Sequence, residues 1–161
     1  MAENDPLGTY LNDHLSGANG GCELARHISS VAGGALDDLV ADIEADRDTL
    51  AGLAESLGVR RQGVKQVLGA FAEKLTQARL SRSVVGSEGL AVLLEMEALS
   101  MGIRGKRDLW EALAEAASTE PRLAGYDFGA LVARAEDQQA RLAAHRLAAA
   151  GVALSDPARP A

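Results

Sequence analysis

Seven residues interrupt the apolar pattern of the predicted helices, and their side chains suit the binding of an anion or a small molecule. Counted from the predicted loops, all of them lie at one level. A buried polar layer is costly unless its members hydrogen-bond to each other, so we predict that Asp46 pairs with Lys106 or Arg107 and that glutamines complete the network. The residues of this polar layer are Cys22, Asp46, Arg47, Lys106, Arg107, Gln138 and Gln139.

Two interpretations of the polar layer are open from the sequence. In the first, long lysine and arginine side chains extend to the surface, and only Asp46 and one glutamine are enclosed. In the second, the layer forms a pocket for an anion or a small molecule. One carboxylate, Asp46, then stands against the cations Arg47, Lys106 and Arg107, and this net charge of +2 would repel divalent metal ions.

Long amphipathic helices position these residues, because apolar side chains recur at steps of three and four along most of the chain. Asp5 and Asp127 are suitable N-cap residues, whereas Gly33-Gly34 and Gly58 are typical helix stops. One Trp, two Tyr and two Phe are the only aromatic residues, so the aromatic and β-branched runs that mark strands are missing. We therefore predict an all-α fold with helices over residues 6–32, 36–57, 61–82, 88–118 and 127–152.

The length of 161 residues fits a single helical domain, with its core over 6–152 and a disordered tail over 153–161. A connection of two or three residues is expected to join the first two helices into an antiparallel hairpin. The segment 59–87 then carries the chain to the second hairpin. Its predicted helix is long enough to lie along the whole bundle as a crossover.

The net charge of −7 is unevenly distributed. Residues 1–58 hold eleven acidic residues against Arg26 and Arg47, whereas residues 60–82 hold six basic residues against Glu73. We expect these two segments to lie side by side and to neutralise each other. A basic surface for nucleic acid or anionic lipid is the alternative. Scarce aromatic side chains and an acidic total argue against it, so we expect no nucleic-acid partner and no membrane insertion.

Compartment and partners are only weakly indicated. The single cysteine, Cys22, excludes an internal disulfide, and neither a signal peptide nor an apolar run of 18 residues is present, which favours the cytoplasm. Self-association is a further expectation, because Leu24 and Leu109 face away from the main apolar stripes. The sequence indicates no particular protein partner.

The chain also contains an internal repeat. LVADIEADRDTL (39–50) and LVARAEDQQARL (131–142) align at a shift of 92 residues, and the helices that precede them align at a shift of 85. The second shift places Gly17-x-x-Gly20 on Gly102-x-x-Gly105. Glycines weaken a helix by about 1 kcal/mol each, so these pairs predict closely approaching backbones or kinks. Two similar hairpins indicate an ancient duplication.

Two duplicated hairpins joined by a long crossover resemble the ferritin-like superfamily over residues 6–152. The resemblance implies a four-helix bundle with an additional crossover helix, and it suggests a bacterial-type stress protein. Members with a di-iron centre carry Glu on two helices and Glu-x-x-His on the other two. This chain departs from that pattern, because Glu44-x-x-Arg47 and Glu136-x-x-Gln139 lack the histidines. Their partners on the other helices would be Glu23 and Asp108.

The four carboxylates fall about 120° to 160° from the centres of their apolar stripes, so we expect them to face solvent. The expected function is therefore a non-catalytic binding or assembly module without a di-iron centre and without a cofactor. The alternative is a di-metal carboxylate protein that binds iron or manganese and acts on oxygen or peroxide. Its metal ligands would be Glu23, Glu44, Asp108 and Glu136.

Overall fold

The computed structural model describes residues 5–59, 76–77, 80, 83 and 87–155, and these residues contain helices but no strand. The all-α prediction is therefore confirmed for the described part of the chain. A short 3₁₀ helix, Pro121–Leu123, precedes the last long helix. The predicted helix over 61–82, with its basic charges, falls largely outside the described residues, as does the tail from residue 156 onward. The long helices are α1 (Pro6–Val31), α2 (Asp37–Ser56), α3 (Glu88–Ala116) and α4 (Phe128–Ala153).

The helix starts follow local capping chemistry. The Asp127 carboxylate accepts a hydrogen bond from the backbone N–H of Ala130 at 2.9 Å, which satisfies a free donor in the first turn of α4. Asp5 occupies the N-cap position of α1, but its side chain makes no capping bond. It lies instead 3.7 Å from the guanidinium of Arg122. The position of this helix start is as expected, whereas the role of the carboxylate is different.

The connection between α1 and α2 is longer than the two or three residues predicted. It runs over residues 32–36, with Gly33 and Gly34 both at positive φ (65° and 85°). The Ser29 hydroxyl donates to the Asp37 carboxylate at 2.6 Å and accepts from the Leu36 backbone N–H at 3.3 Å. These bonds tie the end of α1 to the start of α2.

The helices pack as two antiparallel hairpins, α1 with α2 and α3 with α4. The hairpins meet through α1 against α3 and through α2 against α4. The end of α2 lies beside the residues that precede α4, since Ser56 Oγ lies 3.3 Å from Tyr126 Oη, whereas Asp42, early in α2, pairs with Arg141, late in α4. The four helices, called the bundle below, therefore form a closed ring of antiparallel neighbours.

Because every neighbouring pair is antiparallel, α2 and α3 run in the same direction on opposite corners of the bundle. The end of α2 lies beside Tyr126, just before α4 begins. The start of α3 lies beside the end of α4, where a Cβ added to Gly89 would be 3.6 Å from Ala153. The chain therefore leaves α2 at one end of the bundle and enters α3 at the other.

Apolar side chains fill the bundle in two clusters, one at each end. On α2, Ile43 belongs to the first cluster and Leu50 to the second, with Asp46 between them. On α3, Lys106 lies between Ile103 and Leu109 in the same way. The polar layer therefore separates the two halves of the core. No helix within the described residues is long and apolar enough to cross a membrane.

The residues expected to support self-association are part of this core. Leu24 is 7% exposed and belongs to the first cluster, and Leu109 is 1% exposed and belongs to the second. The expectation that these leucines face outward is wrong, because α1 and α3 bury faces within the chain that are wider than their main apolar stripes. Neither side chain is available as an outer contact.

Candidate functional site

The structure brings Asp46, Lys106 and Gln138 together inside the bundle. The Lys106 ammonium donates to Asp46 Oδ2 at 2.5 Å and also to the Gln138 carbonyl oxygen. The Gln138 amide nitrogen in turn donates to Asp46 Oδ2 at 2.8 Å. Asp46 and Gln138 are 0% exposed, and the Lys106 side chain is 14% exposed. This closed triangle joins α2, α3 and α4 at one level.

Arg134 is a fourth member that the sequence analysis did not identify. Its guanidinium forms an ion pair with Asp46 Oδ1, so one carboxylate faces two cations. Arg134 lies one turn before Gln138 on α4, and that i, i+4 spacing is the sequence signal that places it on the same face. Asp46, Lys106, Gln138 and Arg134 are called the polar centre below. Its formal charges sum to +1.

The other predicted members of the polar layer lie nearer the surface. Arg47 pairs with the adjacent Asp48 at 2.8 Å, and its side chain is 26% exposed. Arg107 pairs with Glu111 at 2.7 Å and with Glu136 at 3.0 Å. Gln139 donates to the Ser100 carbonyl at 3.2 Å. Arg107 and Gln139 therefore link α3 to α4 near the surface, Arg47 pairs within α2, and none of the three enters the polar centre.

Cys22 is buried at the same level and is 1% exposed. Its thiol donates weakly to the Ile43 carbonyl, with sulfur and oxygen 3.9 Å apart. Burial raises the pKa of this thiol, although the nearby guanidinium groups of Arg47 and Arg26 oppose the shift. The neutral thiol is a weak nucleophile, so Cys22 acts as a small core residue beside the polar centre.

The carboxylates that the ferritin-like resemblance suggested as metal ligands lie on the outside of the bundle. Glu23 is exposed, and the side chains of Asp108 and Glu136 are 55% and 56% exposed. Glu44 Oε1 lies 2.5 Å from the Arg26 guanidinium, and Glu136 pairs with Arg107. Among the described residues, no three His, Cys, Asp or Glu side chains lie close enough together to hold a metal ion.

A half-open groove of about 460 Å³ lies between α1 and α3, directly beside the polar centre. Helix α2 contributes its floor, where Asp46 and Arg47 lie between Ile43 and Leu50. Most of the lining is apolar. Among the described residues, it consists of Asp13, His14, Gly17, Ala18, Gly21, Ile43, Asp46, Arg47, Leu50, Leu99, Met101, Gly102, Ile103, Gly105, Lys106, Leu109 and Trp110.

Several glycines of α1 and α3 line the groove. His27 on α1 lies 3.4 Å from Glu95 on α3, and in this antiparallel register Gly17 is level with Gly105. The glycine spacing predicted either closely approaching backbones or kinked helices, and the first of these alternatives is wrong at Gly105. A Cβ added there would meet no atom within 4 Å among the described residues. Among the described residues, no side chain therefore fills the space beside Gly105.

Two hydrogen-bond donors beside the groove lack a full set of acceptors. The Lys106 ammonium has three N–H groups, and Asp46 and Gln138 use two of them. Trp110 is 0% exposed, and its indole Nε1 has no hydrogen-bond partner among the described residues. A buried polar group without a partner is destabilising. Lys106 and Trp110 both belong to the lining of the groove.

Burial also sets the charge states around the groove. Burial lowers the pKa of Lys106, although the adjacent Asp46 carboxylate opposes the shift and favours the ammonium. Burial likewise lowers the pKa of His14, against the opposing effects of Asp13 and Asp108. His14 therefore lines the groove as a neutral imidazole at pH 7, packed edge-on against Tyr10 with ring centroids 4.6 Å apart.

No protein-family model, curated protein or solved structure matches this chain. The polar centre and the groove are therefore the basis on which a function is assigned.

Proposed function

We propose that this chain is a non-catalytic binding module, a ferritin-like bundle that holds a small molecule in the groove between α1 and α3. The observation that carries the proposal is the position of the polar centre. Asp46 and Lys106 of the polar centre line one side of a mostly apolar, half-open cavity of about 460 Å³, a size common for ligand pockets. A few convergent polar groups in an apolar pocket are what fixes a ligand's orientation.

The stability costs of this region support binding over a purely structural role. Gly21 and Gly105 lie inside helices and have room for a larger side chain, yet each destabilises its helix by about 1 kcal/mol relative to alanine. A buried ion pair is often no more stabilising than apolar residues of the same volume. Open space and buried charge at one place are therefore explained more readily by a ligand than by packing.

The placement of the carboxylates supports a role without redox chemistry at a di-metal centre. The four acidic side chains of that alternative point outward, and Glu44 and Glu136 are engaged by arginines. Two hard cations would need several carboxylates converging on one point. The common direction of α2 and α3 supports the ferritin-like assignment, because such a topology requires a long connection between the hairpins.

A binding experiment with a groove-filling variant tests this proposal. Ligand-observed NMR with a panel of small acids, alcohols, amines and aromatic compounds is carried out on the wild-type protein and on Gly105→Leu. Leucine at position 105 has space for its Cβ and extends into the groove. We expect compounds that bind the wild type to lose binding to Gly105→Leu.

Gly52→Leu is the matched control, because Gly52 is also a helix-interior glycine with free space but does not line the groove. This variant should bind the same compounds as the wild type. If no compound binds, or if Gly105→Leu binds as well as Gly52→Leu, the groove is not a ligand site.

A further inference from the structure

We propose that the ligand of the groove is a monocarboxylate with a compact apolar body, whose carboxylate accepts hydrogen bonds from the Lys106 ammonium and the Trp110 indole. This inference rests on the proposed function and specifies its ligand class. It follows from the unused donors, the net charge and the apolar lining.

Two N–H donors beside the groove have unused hydrogen-bonding capacity. Lys106 has one N–H left after Asp46 and Gln138 are satisfied, and Trp110 Nε1 has none of its hydrogen-bonding capacity used by the described residues. Both residues belong to α3, four positions apart, and therefore lie on one face of that helix. Indole and ammonium groups donate and cannot accept. The missing group is consequently an acceptor, such as a carboxylate or carbonyl oxygen.

The net charge of the polar centre favours an anionic ligand. Asp46 is outnumbered by Lys106 and Arg134, so the polar centre carries a surplus of +1. A ligand with one negative charge would neutralise this surplus, whereas a cationic ligand would increase it. Asp13 and Arg47, which carry opposite charges, also line the groove, and Arg47 is paired with Asp48.

The small number of donors favours a carboxylate over a phosphate. Phosphate sites in proteins use helix N-termini, glycine-rich loops or clusters of arginines. This groove is lined by the middle turns of three helices, where backbone N–H groups are already bonded within the helix. Only side chains can donate there, and two N–H groups match the two oxygens of one carboxylate.

The apolar residues that line the rest of the groove favour a ligand with an apolar body. Ile43, Leu50, Leu99, Ile103 and Leu109 line the groove, and the glycines add no polar side chain. Burying aliphatic or aromatic surface against them contributes about 25 cal/mol for each Å² removed from water. Medium-chain aliphatic acids and arylalkyl acids have the required combination of one carboxylate and a compact apolar body.

Isothermal titration calorimetry at pH 7.5 with octanoate, 1-octanol and octylamine tests this inference, because the three compounds share one chain and differ in the head group. We expect octanoate to bind at least about 10-fold more tightly than 1-octanol, in line with a charge-assisted hydrogen bond, and octylamine to bind most weakly. Equal or tighter binding of 1-octanol or octylamine would overturn the carboxylate assignment while leaving the proposed function in place. Absence of binding by all three overturns it as well.

The panel experiment on Gly105→Leu separates the two ideas. If octanoate fails but other compounds bind in the groove, only the ligand class is wrong. If the panel also fails, the proposed function is wrong.

Two variants test the assigned donors. Trp110→Phe keeps an aromatic ring that stacks on Phe128 but lacks the N–H, so octanoate should bind about 10-fold more weakly while binding of 1-octanol changes little. Lys106→Met should weaken octanoate binding by more than 10-fold. Thermal melts confirm folding of each variant, and Trp110→Phe remains decisive if Lys106→Met does not fold. Unchanged octanoate affinity in folded Trp110→Phe contradicts the proposal.

Discussion

The two seams between the hairpins differ in how their polar groups are used. Along the seam between α2 and α4, Asp42 pairs with Arg141 and Asp46 with Arg134, so acidic residues of one helix meet basic residues of the other. Along the seam between α1 and α3, glycines, Lys106 and Trp110 line a groove of about 460 Å³.

Asp46 and Lys106 belong to both regions, because they bond to α4 on one side and line the groove on the other. The α2–α4 seam therefore holds the polar centre in place, and the α1–α3 seam presents it to a cavity. This contrast agrees with a structural role for the first seam and with the proposed binding role for the second. Substitutions in the two seams should consequently have different effects.

The largest effect is expected at the shared carboxylate. Asp46 is fully buried, so Asp46→Asn removes a buried charge from its pairs with Lys106 and Arg134 and should lower the free energy of unfolding by about 3–5 kcal/mol. Urea denaturation measures this change. Asp42→Asn is the matched control, because the Asp42 side chain is 41% exposed and its pair with Arg141 should contribute less than about 1 kcal/mol. Similar losses in the two variants would remove the distinction between the polar centre and the rest of the seam.

Replacing a glycine of the groove should raise the free energy of unfolding. Gly105→Ala adds a methyl group to open space inside α3 and should stabilise the protein by about 0.5–1 kcal/mol. Gly33→Ala provides the contrast, because Gly33 has φ of 65° and alanine there should destabilise by about 1 kcal/mol. Thermal or urea unfolding of both variants checks the signs. A destabilised Gly105→Ala would mean that α1 and α3 approach more closely than described.

Arg47 tests whether the floor of the groove depends on its charge for stability. Its side chain is partly exposed and bonds to the adjacent Asp48, so Arg47→Leu should change the free energy of unfolding by less than about 1 kcal/mol in either direction. Urea denaturation is again the measurement. A loss of several kcal/mol would instead show that Arg47 is part of the structural network.

The smallest effect concerns pH. The pKa of His14 is lowered by burial, so the unfolded chain binds a proton at this site more readily than the folded chain. Stability should therefore fall as the pH drops below the ordinary value of 6.5 and should be fully regained above it. Urea denaturation between pH 5.5 and 7.5 should show a shallower fall for His14→Asn. An identical pH dependence in the variant would contradict the burial of His14.

Much of the fold is readable in the sequence because local rules determine it. Periodic apolar residues and N-cap positions locate the four described helices to within a few residues, as at Asp127 and Phe128. The shared level of Asp46, Lys106 and Gln138 follows from the constant rise of a helix, since equal counts from the loops reach equal heights. The five-residue α1–α2 connection was not predictable, because the bonds of Ser29 to Asp37 and Leu36 form only in the folded chain.

The site itself is less readable. Glycine pairs in facing helices suggested close approach, but residue type alone does not determine the distance between two helices, and here they line a cavity. Arg134 was overlooked because it lies at the edge of the apolar stripe, and its long side chain reaches inward from there. The pairing of charged residues also depends on which helices lie beside each other in the fold. The acidic residues Asp42 and Asp46 of α2 take cations from α3 and α4, a match that composition alone does not reveal.

The most direct test of the groove uses the single tryptophan of the chain. Trp110 gives one indole N–H peak in a ¹H–¹⁵N correlation spectrum, and this proton is a proposed hydrogen-bond donor to the ligand. Titration with octanoate should shift that peak progressively and saturate at the affinity measured by calorimetry. An indole peak that stays in place while octanoate binds elsewhere would contradict the account.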